Sequence, residues 1–185
     1  MHLTIEQGVN RRPAPATPGP GRQAAALLCF LAVSHGVSFV ASLVIIGNAG
    51  GWYAAADKAP WTPPAWAFGA VWTVLYTTMA VAAWLVWRRG TGLASSGRSR
   101  GAMTVYGILL LVNLAWAPLF FGMYPMVGSA ALWLALLVIA AHAVAAAATV
   151  VRFGLISRAA GLLMLPYVSW IVFSLTLNAY AAASN

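Results

Sequence analysis

Charged side chains are scarce in this 185-residue chain: Asp, Glu, Lys and Arg together make up 6% of it, whereas apolar residues make up 62%. Soluble domains carry about a quarter charged and about half apolar residues. A soluble protein of this size could not cover its surface with so few charges. Long apolar runs separated by short polar joints are typical of a protein that crosses a membrane several times.

Acidic residues and cysteines are nearly absent. The two acids are Glu6 and Asp57, and neither lies in an apolar run. Ion-coupled transport needs charged groups within the membrane, and conventional catalysis needs an acid–base or nucleophilic set, so both are disfavoured. We expect no catalytic residue and no metal site, because His35 and His142 are isolated. Cys29 is the single cysteine, which excludes an internal disulfide.

Five apolar runs are long enough to cross a bilayer, since one span needs about 20 residues. They are approximately Gln23–Gly47, Trp66–Trp87, Ala102–Phe121, Met126–Val151 and Ala159–Tyr180. The predicted fold is therefore an all-α integral membrane protein, a bundle of five transmembrane helices. We expect residues 1–22 to be a disordered Pro/Gly-rich tail, residues 23–181 the membrane domain and residues 182–185 a short C-terminal tail.

The basic residues are concentrated in alternate joints. Before the first span, between the second and third, and between the fourth and fifth lie Arg11, Arg12, Arg22, Arg88, Arg89, Arg98, Arg100, Arg152 and Arg158. The opposite joints carry only Asp57 and Lys58. Because Lys- and Arg-rich loops stay inside, the pattern predicts a bacterial inner or plasma membrane protein with a cytoplasmic N-terminus and an outer C-terminus. It also accounts for the net charge of +8 without a nucleic-acid partner.

The joint between the first two spans combines aromatic rings with prolines. Prolines stiffen a loop because they fix φ and remove backbone donors. An aromatic belt at the lipid headgroups is the alternative explanation for the rings, but such a belt needs no rigid prolines. We predict a structured cap over the mouth of the bundle, formed by Trp52, Trp61, Pro63, Pro64 and Trp66.

Aromatic and amide side chains recur on single faces of the later spans. The stripes are Trp72 and Tyr76 in the second span, Asn113, Trp116 and Phe120 in the third, and Trp170, Phe173, Ser174 and Asn178 in the fifth. Each stripe alone fits core packing. An unpaired amide at hydrocarbon depth costs a few kcal/mol, so Asn113 is expected to face the interior. An aromatic cage with a few fixed polar groups suits a flat, largely apolar ligand.

A further stripe of small polar residues marks the first span, where Ser34, Ser38 and Ser42 are spaced four apart. Close helix packing and pocket lining both explain such a stripe. The sequence leaves the two explanations open.

Four blocks of residues, in this order, carry a specific resemblance. They are Trp52-Tyr53 with Lys58 and Trp61-Thr62-Pro63-Pro64; Trp72 with Leu75-Tyr76; Asn113, Trp116, Pro118 and Phe120-Phe121-Gly122; and Pro166-Tyr167, Trp170, Phe173 and Leu177-Asn178. From about Gln23 to Tyr180 the chain resembles the TspO/translocator protein family, also called tryptophan-rich sensory or peripheral benzodiazepine receptor-like proteins.

The resemblance implies a five-helix bundle, commonly a homodimer in bacteria, with a pocket beneath the first loop. That pocket would bind protoporphyrin IX, haem and synthetic benzodiazepine-type ligands, with no cofactor required. The implied ligand-binding residues are Tyr53, Trp72, Tyr76, Asn113, Trp116, Trp170 and Phe173. We expect a sensor or handler of porphyrin intermediates. The alternatives are light-dependent porphyrin degradation with Trp72 as electron donor, facilitated tetrapyrrole transport, and a purely structural partner protein.

Two departures from the family pattern limit what carries over. The family loop usually reads Lys-Pro-x-Trp, whereas here Lys58 is followed by Ala59, Pro60 and Trp61. A photochemical role for a loop tryptophan therefore does not carry over. The sterol motif of animal members ends in a basic residue, and none follows Tyr180 here. We do not expect cholesterol binding.

Overall fold

The computed structural model describes residues 18–90 and 96–185. Within these two ranges the chain forms seven α-helices and no strand. The helices are α1 (Pro20–Ala49), α2 (Trp52–Ala55), α3 (Ala65–Arg89), α4 (Ser96–Ala117), α5 (Tyr124–Val127), α6 (Ser129–Gly154) and α7 (Arg158–Ser184), with a π-helical turn (Pro118–Gly122) continuing α4.

Five of these elements are long and apolar enough to cross a membrane. They are α1, α3, α4 with its π-turn, α6 and α7, each between 25 and 30 residues long with mean hydropathy between 1.6 and 2.4. A helix satisfies all its backbone hydrogen bonds internally, which makes it one of the two structures that can span hydrocarbon. The predicted five-span, all-α fold is confirmed.

The first and last helices extend further than the predicted boundaries. Helix α1 begins at Pro20, within the predicted tail, because proline has no N–H and suits the first helical position. The rest of that tail, up to residue 17, lies outside the described residues. Helix α7 continues to Ser184, three residues beyond the predicted end of the membrane domain at residue 181. Alanine favours helix, and three alanines precede Ser184.

The fourth span also begins later than predicted. Met126 was expected to open it, but this residue lies in the short helix α5. Gly128 separates α5 from α6 with a φ of 64°, a conformation that side chains with a Cβ rarely adopt. Apolarity alone could not reveal this break, since Met126 and Val127 are as apolar as the helix that follows.

The long helices surround a core in the order α1, α3, α7, α6, α4. The half of the bundle away from the first loop is packed solid, and Met79, Val86, Leu109, Phe153 and Met164 have no exposed surface there. Helices α6 and α7 approach closely where Gly154 of α6 faces Gly161 of α7. A Cβ added to Gly161 would lie 2.9 Å from the Cα of Gly154. Small residues permit such close crossings in membranes.

All the described arginines lie at the solid end, which we call the arginine end; they are Arg22, Arg88, Arg89, Arg98, Arg100, Arg152 and Arg158. Contacts between helices tie this end together. The Trp84 indole donates to the Gln23 carbonyl at 3.0 Å, and the guanidinium of Arg22 lies 5.9 Å from the Trp87 ring. The opposite end, with Asp57 and Lys58, is called the loop end.

Candidate functional site

A cavity of about 600 Å³ occupies the loop half of the bundle. It is lined by residues from α1, α2, the first loop, α3, α4 with its π-turn, α6 and α7. Most of the lining is apolar or aromatic. Interior polar groups that line it include Tyr76, Asn113, His142, Ser174 and Asn178. A few fixed polar groups in a mainly apolar concavity are typical of small-molecule sites.

Five of the seven predicted ligand-binding residues line this cavity together: Tyr53, Trp72, Tyr76, Asn113 and Trp116. They come from three different helices, α2, α3 and α4, so sequence-distant blocks converge on one space. The aromatic stripes of the second and third spans therefore face the interior, not the lipid.

The other two predicted residues, Trp170 and Phe173, do not line the cavity. The cavity face of α7 is instead Ile171, Ser174 and Asn178, spaced three and four apart. Trp170 stands one position to the side and packs edge-on against the Trp72 ring, with centroids 6.4 Å apart. It supports the cavity wall from behind.

A chain of buried hydrogen bonds forms one wall of the cavity. The Tyr76 hydroxyl donates to Asn113 Oδ1 at 2.6 Å, and Asn113 Nδ2 donates to the Tyr167 oxygen at 2.9 Å. The chain ends at His142, whose Nε2 lies 2.8 Å from the same Tyr167 oxygen. The Asn113 amide therefore links α3 to α7, and its polarity is compensated inside the membrane.

The imidazole of His142 completes this chain. The Tyr167 oxygen accepts from Asn113 and is also the hydrogen-bond partner of His142 Nε2. The ring is thereby held in place between α6 and α7. The histidine is thus a hydrogen-bonded packing residue that also borders the cavity.

A second amide joins three helices. Trp116 Nε1 donates to Asn178 Oδ1 at 2.9 Å, and Asn178 Nδ2 donates to the Leu132 carbonyl at 3.0 Å. The bond holds the Trp116 indole in one orientation at the cavity wall. Both amides that the sequence marked are therefore structural ties as well as lining groups.

Sequence reasoning did not single out His142 as a lining residue or Tyr167 as part of the site. A periodic signal existed for Tyr167, because residues 167, 171, 174 and 178 share one face of α7. No comparable signal marks His142, which is surrounded by alanines in α6. The serine stripe divides: Ser34 is buried against Tyr106, while the other two serines line the cavity.

The π-turn after α4 builds an aromatic wall. Pro118 has no N–H, and the Met123 N–H reaches back to the Pro118 carbonyl at 2.9 Å, which widens the helix here. Phe120 then stacks on Trp116 with centroids 5.1 Å apart. Next to it, the Phe121 carbonyl accepts a hydrogen bond of 3.0 Å from the indole of Trp52.

The five residues that were predicted to cap the bundle differ in where they lie. Trp52 is anchored by that hydrogen bond, and Trp61 donates to Thr176 Oγ1 on α7 at 3.2 Å. Pro63 lines the cavity, and Pro64 precedes the first residue of α3. Trp66 is 76% exposed and takes no part in the lining. Its position suits the lipid headgroup level.

Lys58 lines the cavity mouth as the one cation there among the described residues. Its Nζ donates to the Ala54 carbonyl at 3.2 Å and lies 5.0 Å from the Tyr53 ring centroid. Burial of the phenol raises the pKa of Tyr53 above 10.0. The neighbouring Asp57 is held by its backbone, which exchanges two hydrogen bonds with the Asn185 side chain.

Comparison with known proteins identifies the family of this chain. A sequence model of the TspO/MBR family matches residues 27–183. The human "Translocator protein" is 37% identical over 140 residues, covering 76% of this chain and 78% of the relative. The "Tryptophan-rich protein TspO" of Archaeoglobus fulgidus is 34% identical over 83% of this chain and 90% of the relative. The chain belongs to the TspO/MBR family.

A third relative of this TspO/MBR protein is the "Tryptophan-rich sensory protein" of Cereibacter sphaeroides, 35% identical over 72% of this chain and 77% of the relative. The resemblance drawn from the four blocks is thereby confirmed. Together with the five apolar helices, family membership makes this TspO/MBR chain a multi-pass integral membrane protein. The described residues contain no group of three His, Cys, Asp or Glu side chains placed to hold a metal ion.

Proposed function

We propose that this TspO/MBR protein binds a tetrapyrrole, protoporphyrin IX or haem, in the cavity and acts as a sensor or handler of porphyrin intermediates. The observation that carries the proposal is the convergence of Trp72, Trp116 and Asn113 on one cavity. Indole faces contact a flat conjugated ring favourably, and an amide supplies a hydrogen bond at a fixed place.

The cavity has dimensions suited to such a ligand. Sites for small molecules and cofactors measure about 300–1,000 Å³, and this cavity of about 600 Å³ lies within that range. The aromatic wall is held rigidly, since Trp116 is bonded to Asn178 and stacked on Phe120. A preformed wall lowers the entropy lost on binding.

The mouth supports the orientation of the ligand. Tetrapyrroles of this class carry an apolar ring and carboxylate side chains at one edge. Lys58 at the loop end would attract the carboxylates while the ring occupies the aromatic interior. The proposal therefore places the carboxylate edge of the ring beside Lys58 and the opposite edge near the buried amides.

We also propose that the arginine end faces the cytoplasm, with the N-terminus inside and the C-terminus outside. The support is the division of charge between the two ends of the bundle. A single cysteine at the loop end, such as Ala55→Cys in a Cys29→Ser background, should react with a membrane-impermeant maleimide in intact cells. Arg98→Cys in the same background should react only after the cells are permeabilised, and the reverse result refutes the orientation.

The binding proposal is tested by titrating purified protein with protoporphyrin IX while recording tryptophan fluorescence and porphyrin absorbance. We expect saturable quenching in the wild type. The Trp72→Ala, Trp116→Ala double variant should weaken binding by about tenfold or more, since stacking of a flat base on an aromatic ring contributes about 1–3 kcal/mol by alanine substitution. Trp133→Ala is the matched control, because Trp133 is half-exposed on α6 outside the cavity. Absence of quenching, or equal affinity in all three proteins, refutes the proposal.

Light-dependent porphyrin breakdown is a second candidate, supported by one observation. Trp72 borders the cavity and contacts two further oxidisable rings, Tyr76 at 5.4 Å and Trp170 at 6.4 Å between centroids. An indole in this place could donate an electron to a photoexcited ring. Illumination of the complex should then yield a product absent from a protein-free control and reduced in Trp72→Phe. Equal loss of absorbance with and without protein refutes this candidate.

A further inference from the structure

The cavity reaches the surface of the bundle in two places. At the loop end it is bordered by the exposed residues Asp57 and Lys58. Along its side it is bordered by exposed residues of α1 and α3, two of the helices that are long and apolar enough to cross a membrane. In a bilayer the border at the loop end would face water and the border along the side would face lipid.

The α3 edge of the side opening is formed by Ala65, Gly69 and Thr73. They are spaced four apart, so they form one stripe along the helix, and all three are exposed. Eight residues of helix rise about 12 Å, which gives the length of this edge. Its side chains are small, and a Cβ added to Gly69 would meet no atom within 4 Å.

The α1 edge has the same construction. Ser38, Ser42 and Ile46 line the cavity at the same spacing of four. Ile46 is 75% exposed, so this edge of the cavity lies at the surface of the bundle. Ser38, Ser42 and Ile46 thus form one edge of a slot between α1 and α3. The opposite edge is the α3 stripe of Ala65, Gly69 and Thr73.

Hydrogen bonds and ring contacts between the described parts of α1 and α3 lie on the arginine side of this slot. The His35 ring bonds to Thr77 Oγ1 at 3.1 Å and approaches Tyr76, while Trp84 bonds to the Gln23 carbonyl. Every hydrogen bond and ring contact that joins the described residues of these two helices lies at His35 or nearer the arginine end.

Neighbouring seams at the level of the cavity are bridged. Phe68 of α3 packs edge-on against Trp170 of α7 with centroids 5.8 Å apart. Asn178 of α7 donates to the Leu132 carbonyl of α6 at 3.0 Å. The slot is therefore a specific feature of the α1–α3 seam rather than a general looseness of the loop half.

The edges of the slot are chemically suited to the passage of an apolar molecule. The Ser42 hydroxyl donates to the Ser38 carbonyl at 2.8 Å, and the Thr73 hydroxyl donates to the Gly69 carbonyl at 2.8 Å. Both hydroxyl protons are therefore engaged within their own helices. An apolar ring that passes between Ser42 and Thr73 breaks neither of these two hydrogen bonds. A donor left unsatisfied in hydrocarbon would cost several kcal/mol.

We propose that the slot between α1 and α3 is an entry site through which the ligand reaches the cavity from the bilayer. The inference rests on the proposed function and narrows the ligand to flat molecules whose apolar ring can lie in the hydrocarbon core. The aqueous opening beside Lys58 is bordered by the first loop, whose Trp61 is fixed to α7. Entry is governed by the width of the slot and not by motion of the loop.

The test measures the rates of protoporphyrin IX association and dissociation in lipid nanodiscs. Gly69→Leu places a branched side chain on the slot edge. We expect both rates to fall about tenfold, while the Kd changes less than about twofold, because a barrier common to entry and exit is raised. Gly47→Leu is the matched control, since Gly47 is exposed on α1, lies outside the lining and also has free space for a Cβ.

A second variant shifts the rates in the opposite direction. Ile46→Ala removes a side chain from the α1 edge, so both rates should rise by about threefold with little change in Kd. The inference is overturned if Gly69→Leu leaves both rates unchanged, or if it slows them no more than Gly47→Leu does.

A porphyrin-free measurement separates this inference from the binding proposal. An apolar aryl diazirine is mixed with nanodiscs, and a light flash after increasing delays labels whatever it has reached. Labelling of the cavity-facing segment 116–121 should develop quickly in the wild type and in Gly47→Leu, but slowly in Gly69→Leu. Faster labelling by a charged, water-soluble aryl diazirine, with no effect of Gly69→Leu, overturns the slot even if porphyrin binds.

Discussion

The two halves of the bundle are built from the same five helices, but the helices pack closely in one half and are held apart in the other. At the arginine end, alanines and glycines let backbones approach, and Ala82, Ala83 and Ala160 are fully buried among larger aliphatic side chains. At the loop end, indole, phenol and phenyl rings hold the helices apart. Rigid rings fixed by hydrogen bonds cannot collapse into the space between them, and a cavity of about 600 Å³ remains.

The difference also explains where the amides lie. Asn113 and Asn178 are both in the loop half, where each replaces tight packing by two hydrogen bonds between helices. A half-open bundle loses dispersion contacts. Buried polar ties restore a defined geometry without filling the space that a ligand would occupy. Stability and binding are thus assigned to different halves of one fold.

The same substitution made in each half should produce opposite results. Ala83→Leu overpacks the solid half and should destabilise the protein by about 3 kcal/mol. Ala117→Leu adds the same atoms to a wall of the cavity, so it should change stability by less than about 1 kcal/mol but abolish porphyrin binding. Reversible unfolding in mixed micelles and porphyrin titration measure the two effects. Equal destabilisation by both variants would contradict the division into halves.

Removal of a polar tie should cost more than removal of a local hydrogen bond. Asn113→Leu leaves the Tyr76 hydroxyl without its acceptor in a buried place and should destabilise the protein by about 2 kcal/mol. Asn48→Ala is the control, because the Asn48 side chain donates only to Val44 in its own helix. Its expected effect is below about 0.5 kcal/mol in the same unfolding assay. A loss at Asn113 no larger than at Asn48 would show that the tie contributes nothing.

Within the loop end, two tryptophans should behave differently. Trp52→Phe removes the hydrogen bond to the Phe121 carbonyl but retains an aromatic ring against Tyr124, so it should cost about 1 kcal/mol. Trp66→Phe should be neutral, since Trp66 is largely exposed. Thermal unfolding in nanodiscs compares them. A greater loss in Trp66→Phe would mean that the lipid contact matters more than the anchor.

The smallest expected effect concerns the Tyr53 phenol at the mouth. Because burial raises the pKa of Tyr53 in the folded state, the neutral phenol stabilises the fold below pH 10. This contribution is lost as the pH rises through the folded-state pKa of Tyr53, because the same phenol ionises at a lower pH in the unfolded chain. The phenolate absorbance of wild type minus that of Tyr53→Phe should show a midpoint above 10. A midpoint at or below 10 would show that the mouth is fully hydrated.

Most of the architecture could be predicted from the sequence because lipid imposes a simple rule. A run of about 20 apolar residues without charges must be a buried helix or a span. The breaks were harder to predict. Gly128 interrupts an apolar segment through its φ alone, and the π-turn at Pro118 requires knowledge of which carbonyl each N–H reaches.

The site could be predicted face by face but not in full. Trp72, Asn113 and Trp116 were recoverable because aromatic and amide stripes in lipid face inward. The position of Trp170 was not recoverable, since one step along a helix rotates a side chain by about 100° and the sequence does not fix the helix's rotation. The partnership of His142 with Tyr167 depends on how α6 and α7 face each other, which only the packed structure reveals.

The most direct test of the proposed binding site uses the nine tryptophans as reporters. Protein labelled with 5-fluorotryptophan is titrated with manganese protoporphyrin, whose paramagnetic ion broadens nearby fluorine signals. We expect the signals of Trp72 and Trp116 to broaden first and most, while those of Trp84 and Trp87 at the arginine end stay sharp. Uniform broadening, or stronger broadening at the arginine end than at the cavity, would contradict it.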